Sequence, residues 1–91
     1  MSIYCRAECM SEDKMVIFFT NGRIIKTIEE TETFKIIKDV IEFNTVMNEI
    51  IDTLTVEEFP FDLGYQNDIE WEIEIDSCDF DKFELMLNKW K

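Results

Sequence analysis

Residues 68–76 read Asp-Ile-Glu-Trp-Glu-Ile-Glu-Ile-Asp, and this stretch limits the fold more than any other part of the chain. Nine positions of strict alternation match the two-residue period of a β-strand and not the 3.6-residue period of a helix. Ile69, Trp71, Ile73 and Ile75 fall on one face, and Asp68, Glu70, Glu72, Glu74 and Asp76 fall on the other. The apolar face has to be buried, so the strand belongs to a sheet with a second layer packed on one side only. Same-face residues repeat every ~6.6 to 6.8 Å, so the five acids form a row about 27 Å long.

The row costs stability. Neighbouring charges ~6.7 Å apart repel by roughly 0.6 kcal/mol in water and by less in salt, and Asp and Glu are poor strand formers. Two explanations compete. Arg6, Lys14, Arg23 or Lys26 on adjacent strands neutralise the row across the sheet, or the row is a surface presented to a basic partner.

Composition separates this acidity from the acidity of a disordered tail. The 91 residues are 46% hydrophobic and 13% aromatic, enough for one core, and the expected organisation is a single acidic domain over residues 1–91. The net charge of -12 is unevenly spread. Residues 1–28 hold four Lys/Arg against Glu8, Glu12 and Asp13, whereas residues 57–84 hold eleven carboxylates and only Lys82. Such a field repels nucleic acid and phospholipid and attracts basic clefts.

The amino-terminal third alternates as a β-meander. Ser2–Cys9 is a strand, Met10–Asp13 a turn, and Lys14–Thr20 and Arg23–Ile28 flank Asn21-Gly22, a strong hairpin signal. That hairpin would set Phe19 opposite Ile24, put Met15, Ile17, Phe19, Ile24 and Ile28 on the core side, and leave Val16, Phe18 and Ile25 outside. Apolar residues then recur at threes and fours from Thr33 to Leu54, which predicts a helix opened by Glu29, Glu30 and Glu32 at its positive end. Thr55-Val-Glu-Glu58 matches a capping box and predicts a short turn before Pro60, and Phe59–Asp68 reads as a long connection. After the acidic strand, Asp76 or Ser77 would cap a final helix with Phe80, Phe83, Leu87 and Trp90 as its stripe. The expected fold is α+β, in the order β-β-β-α-β-α: a four-stranded, mainly antiparallel sheet with both helices on one face and the other face open and acidic.

Missing residue types exclude most chemistry. The chain has no His, its serines (Ser2, Ser11 and Ser77) stand in no nucleophile setting, and Gly22 and Gly64 cannot build a phosphate-binding loop. The acids of residues 76–84 lack the spacing and central glycine of an EF-hand. The expectation is therefore no enzyme, no metal site and no cofactor. Cys5, Cys9 and Cys78 form no metal or redox motif, and Cys5 and Cys9 on one strand stand ~13 Å apart, beyond the ~7 Å reach of a disulfide. They read as buried small hydrophobes in a reducing cytoplasm. The first nine residues carry no signal-peptide core, and no run approaches the ~18 apolar residues of a membrane helix, so a cytoplasmic setting is expected, the host's if the chain is phage-encoded.

Direct nucleic-acid binding is opposed by the sign of the charge. The inverse role fits: an acidic inhibitor that occupies the basic nucleic-acid-binding cleft of another protein, a nuclease or CRISPR effector, by mimicking DNA or RNA. The expected contact residues are Asp68, Glu70, Glu72, Glu74 and Asp76, with Glu57, Glu58 and Asp62 as a second row. In size and acidity the chain is similar to phage anti-CRISPR and anti-restriction proteins, and also to immunity proteins and antitoxins that neutralise nuclease toxins. A third expectation is an oligomerising module, a homodimer included, that buries Tyr4, Val16, Phe18 and Ile25.

Overall fold

The computed structural model describes residues 2–24, 33–37 and 42–91. Five strands and two helices follow in the order β1 (Ile3–Cys9), β2 (Lys14–Asn21), β3 (Thr33–Ile37), α1 (Phe43–Val56), β4 (Asp62–Gln66), β5 (Glu70–Asp76) and α2 (Phe80–Leu87). Single 3-10 turns flank α2 at Ser77–Asp79 and Asn88–Trp90. The strands make one antiparallel sheet in the order β3-β1-β2-β5-β4. The fold is α+β as expected, with five strands among the described residues where four were expected.

Alternation decides which side is inside. Ile3 and Cys5 of β1, Ile17 and Phe19 of β2, Ile36 of β3, and Trp71, Ile73 and Ile75 of β5 join one buried cluster. Phe43, Met47, Ile50 and Leu54 of α1 and Phe83 and Leu87 of α2 complete it, so both helices cover the same face of the sheet. The Phe83 ring meets Phe19 edge-on at 6.2 Å between centroids and Phe59 at 5.7 Å. Phe59 thus plugs the core end. The expected stripe of α2 is present, with Phe80 and Trp90 half-buried beside Phe83 and Leu87.

Several sequence expectations are corrected, while the expected turn at Met10–Asp13 is present: it closes the β1–β2 hairpin, where Met10 N donates to Lys14 O at 2.9 Å. β2 pairs with β1 on one side and β5 on the other, so neither side is left for a strand at Arg23–Ile28. Phe19 accordingly stands between Cys5 and Trp71, not opposite Ile24, which is exposed. Asn21-Gly22 still turns the chain: Asn21 Oδ1 accepts from Arg23 N, Asn21 O accepts from Ile24 N, and Gly22 N donates to Ser2 O at 2.9 Å. A Cβ at Gly22 would come within 2.2 Å of that Ser2 oxygen, which explains the glycine. The expected strand residues Ile25, Lys26 and Ile28 lie outside the described residues.

The helix expected from Thr33 begins only at Phe43, because Thr33-Phe-Lys-Ile-Ile37 is a β-branched and aromatic run that pairs with β1. Glu29, Glu30 and Glu32, expected to open that helix, lie outside the described residues, as do Val40 and Ile41. Thr55-Val-Glu-Glu58 ends a helix instead of starting one. Phe59 N donates to Leu54 O and Glu58 N to Thr55 O, a Schellman closure with Glu58 at φ 56 in the glycine position. The expected connection Phe59–Asp68 contains β4, an edge strand with all five residues exposed. Neither Asp76 nor Ser77, the two expected caps, stands at the N-cap of α2, which is Asp79; Asp76 accepts from Lys14. Of the three cysteines expected inside, Cys5 is buried while Cys9 and Cys78 are exposed.

Among the described residues no helix is long and apolar enough to cross a membrane.

Candidate functional site

The sheet face opposite the helices is assembled by strand register. Glu70, Glu72, Glu74 and Asp76 alternate with the core residues of β5 and stand directly opposite Thr20, Phe18, Val16 and Lys14 of β2. Thr20, Phe18 and Val16 in turn stand opposite Tyr4, Arg6 and Glu8 of β1, and Lys35 of β3 is opposite Tyr4. On the other side, Asp62 of β4 is opposite Glu74. This face therefore gathers six carboxylates (Glu8, Asp62, Glu70, Glu72, Glu74 and Asp76) and three cations (Arg6, Lys14 and Lys35).

The cations are not evenly placed. Lys14 Nζ donates to Asp76 Oδ1 at 2.6 Å, and Glu74 and Asp62 add to the negative field around it. The hydrogen bond with Asp76, and then these charges, push the Lys14 pKa up. Arg6 lies over the Phe18 ring at 4.3 Å and pairs with Glu8 at 2.9 Å. Glu70 is half-buried, and its carboxyl pKa is raised first by burial, then by the nearby charges of Glu72 and Glu8, with Arg6 pulling the other way. So of the cations expected to offset the row, Lys14 pairs with it at Asp76, while Arg6, level with Phe18 and Glu72 in the register, pairs with Glu8 and acts on Glu70 only through its charge.

β4 shapes the surroundings of Glu72. Leu63 pairs with Ile73 and Gln66 with Trp71, so Gly64 and Tyr65 together oppose the one residue Glu72, a β-bulge. The Glu72 carboxylate lies over Gly64: a Cβ placed there would stand 3.0 Å from Glu72 Oε2 and 3.1 Å from Glu72 Cβ. A glycine inside a strand pattern signals close approach, and that signal was present in Asp62-Leu-Gly-Tyr-Gln66.

Three of the eight expected contact residues stand elsewhere. Asp68 is in the β4–β5 turn, where Asn67 Oδ1 accepts from the amides of Ile69 and Glu70 at 2.8 Å. Its Oδ1 accepts from Asn44 Nδ2 at 2.8 Å, and Asn44 Oδ1 accepts from Trp71 Nε1 at 3.2 Å, so Asp68 ties the turn to α1. It lines, with Arg23, Glu42 and Asn44, a cavity of about 350 Å³. The strand starts two residues later than expected because this asparagine-led turn captures Asp68 and Ile69. Ile69 is exposed as a result. Glu57 and Glu58 close α1, in the helical layer, and are exposed there. A helix C-terminus disfavours acids, and the left-handed φ of Glu58 adds a cost that glycine would avoid.

Among the described residues, no cluster of three or more His, Cys, Asp or Glu side chains is arranged to hold a metal ion. The Cys5 thiol is pushed well up by burial, as befits a packing residue.

No protein-family model matches the chain, and no curated protein and no solved structure matches it. The class it belongs to is given by its own geometry alone, a small α+β domain with one helix-covered sheet face.

Proposed function

We propose that this chain is a non-enzymatic, cytoplasmic, single-domain inhibitor that occupies the basic nucleic-acid-binding cleft of another protein. The observation that carries this reading is the unbroken series Glu70, Glu72, Glu74 on the sheet face away from both helices, with Asp62 beside Glu74. A row spaced ~6.7 Å has half the axial charge density of a nucleic-acid strand, whose charges advance ~3.4 Å each, so it is too sparse alone and Asp62 adds to it beside Glu74. Lysines and arginines that grip alternate phosphates would find carboxylates in their place, and the net charge of -12 would speed encounter.

The setting that suits such a surface is a phage antagonist of a host nuclease or CRISPR effector, an anti-restriction or anti-CRISPR protein. An immunity protein or antitoxin against a nuclease toxin would use the same chemistry. Dimerisation through the outer face is less well supported: Val16 is buried, and Arg6 covers the Phe18 ring, so little of that apolar strip is left to bury.

The test is capture from host lysate at low salt, elution by rising salt, and competition with added DNA duplex. A nucleic-acid-binding protein that is released by salt and by the duplex, and is not captured by the Glu70→Lys, Glu72→Lys, Glu74→Lys variant, is the expected result. Equal capture by the reversed variant would make the row an ordinary solvated surface.

A further inference from the structure

The outer face ends at β4, an edge strand, and its outward backbone groups are a template for another strand. We propose that β4 is a docking edge for a short, extended, lysine- or arginine-bearing segment of the partner protein, which adds to the sheet as a sixth strand. This deepens the acidic-inhibitor reading above and rests on it.

Three features select that occupant. First, all five residues of β4 are exposed, including Leu63 and Tyr65, at 45% and 63%. Apolar side chains on an uncovered edge give an added strand something to pack on beyond its backbone hydrogen bonds. Second, carboxylates dominate the charge at this edge, where Lys14 of β2 is held by Asp76 and shares the field of Asp62. Asp62 is on β4 itself, and the missing side chain of Gly64 lets the Glu72 carboxylate lean over β4 toward the rim, 3.0 Å from where a Cβ would be. No Lys or Arg occurs between Thr53 and Asp81. A basic side chain on the outer face of the added strand, opposite Gly64, would therefore meet Glu72 across the glycine gap, and a neighbouring one would meet Asp62. Third, a second copy of this chain is disfavoured. Each copy carries -12, and the bulge at Gly64–Tyr65 breaks the flat ladder that edge-to-edge self-pairing needs. A short segment requires only a few consecutive pairs and tolerates the bulge.

The mode is strand addition, in which main-chain hydrogen bonds hold the segment and alternate side chains choose it. Its specificity comes from the Glu72–Gly64 arrangement. Gly64 has no positive φ, so alanine fits the backbone there, but its methyl group would displace the carboxylate.

The experiment uses the ¹⁵N-labelled full chain at low salt and two blocked heptapeptides, Thr-Lys-Val-Lys-Val-Lys-Thr and the same sequence with Glu for Lys. Amide shifts across residues 62–66 with the lysine peptide, and none with the glutamate peptide, are expected. Gly64→Ala should weaken the lysine peptide about threefold, and Leu63→Lys with Tyr65→Lys about tenfold, through like-charge repulsion at close range. Shifts confined to residues 70–76, equal shifts from both peptides, or none from either would overturn the proposal. The partner-capture assay separates the two readings. If the Leu63→Lys, Tyr65→Lys variant captures the partner as fully as the native chain, the docking edge is rejected while the acidic row stands. If the Glu70, Glu72, Glu74 reversal captures it fully, the row itself is rejected.

Discussion

On the inner face of β5, Trp71, Ile73 and Ile75 are 7%, 0% and 1% exposed beneath the two helices. On its outer face, Glu70, Glu72, Glu74 and Asp76 are each half-buried among side chains from β1, β2 and β4. The seven residues share one backbone and one alternation, yet the two faces obey different physics. Burial of the inner face follows from the chemistry of its own side chains, because apolar area has to leave water. The electrostatic state of the outer face depends on groups far away in the chain, such as Lys14, 62 positions from Asp76. Strand periodicity predicts where side chains point; it does not predict what they meet.

The largest expected contrast is therefore between neighbours on opposite faces. Ile73→Ala removes a fully buried side chain and should cost about 2–5 kcal/mol of stability. Glu72→Ala on the other face should change stability by no more than about 0.5 kcal/mol. Urea denaturation of both variants at neutral pH measures the difference. Similar losses would mean that Glu72 is structural and that the two faces do not divide fold from function.

The second effect concerns the row as a unit. Glu70→Gln, Glu72→Gln and Glu74→Gln together keep the shape of the face and delete three charges. Salt-dependent association with a basic partner should fall at least tenfold, while the thermal midpoint stays the same or rises as repulsion of roughly 0.6 kcal/mol per neighbouring pair is relieved. The third is its converse. Lys14→Gln frees Asp76 and unmasks Asp62 and Glu74, so association should tighten a few-fold and require more salt to reverse. If Lys14→Gln weakens association, the working surface is at the Glu70 end and the Lys14 pair is structural.

The same division explains what could be read in the sequence. The helix-on-one-face α+β layout, the core residues of β1, β2 and β5, and the stripe of α2 follow from periods of two and three to four, which are local. Thr33–Ile37 fits either period, because three apolar residues among five do not separate a strand from the start of a helix, and only pairing with β1 decides. β4 is hidden by Gly64 and its two polar ends, Asp62 and Gln66, which read as loop until β5 is beside them. Asp68 was counted with the row because nine alternating residues looked continuous; Asn67, with two backbone amides on its side chain, ends that continuity. Of the expected site residues, Glu70, Glu72, Glu74, Asp76 and Asp62 are brought together on one face. What the sequence could not convey was how Lys14 and Arg6 are shared among them.

The smallest expected effect tests the outer face without a partner. The Glu70 carboxyl pKa is raised by burial and by Glu72 and Glu8, against the pull of Arg6. An acid with a higher pKa folded than unfolded keeps its proton longer in the native state, so the native state binds more protons in the window between the two values. Stability then declines as pH rises through that window, and above the folded pKa the loss is complete and constant. Glu70→Gln removes this contribution, so the variant should gain on the native chain as pH rises from the ordinary carboxylate range toward neutrality. Because the side chain is only half-buried and solvent still screens it, the gain should reach only about a few tenths of a kcal/mol. Lys14 gives the same slope at the other end of the scale, by loss of a favourable pair: its raised pKa contributes stability that is full below the unfolded lysine value and fades as pH climbs through the folded one. Paired urea titrations of native and Glu70→Gln protein from pH 4 to 7 measure the acid window. A stability difference that does not change with pH would show that burial does not raise Glu70, and the outer face would then be as open to water at Glu70 as at its centre.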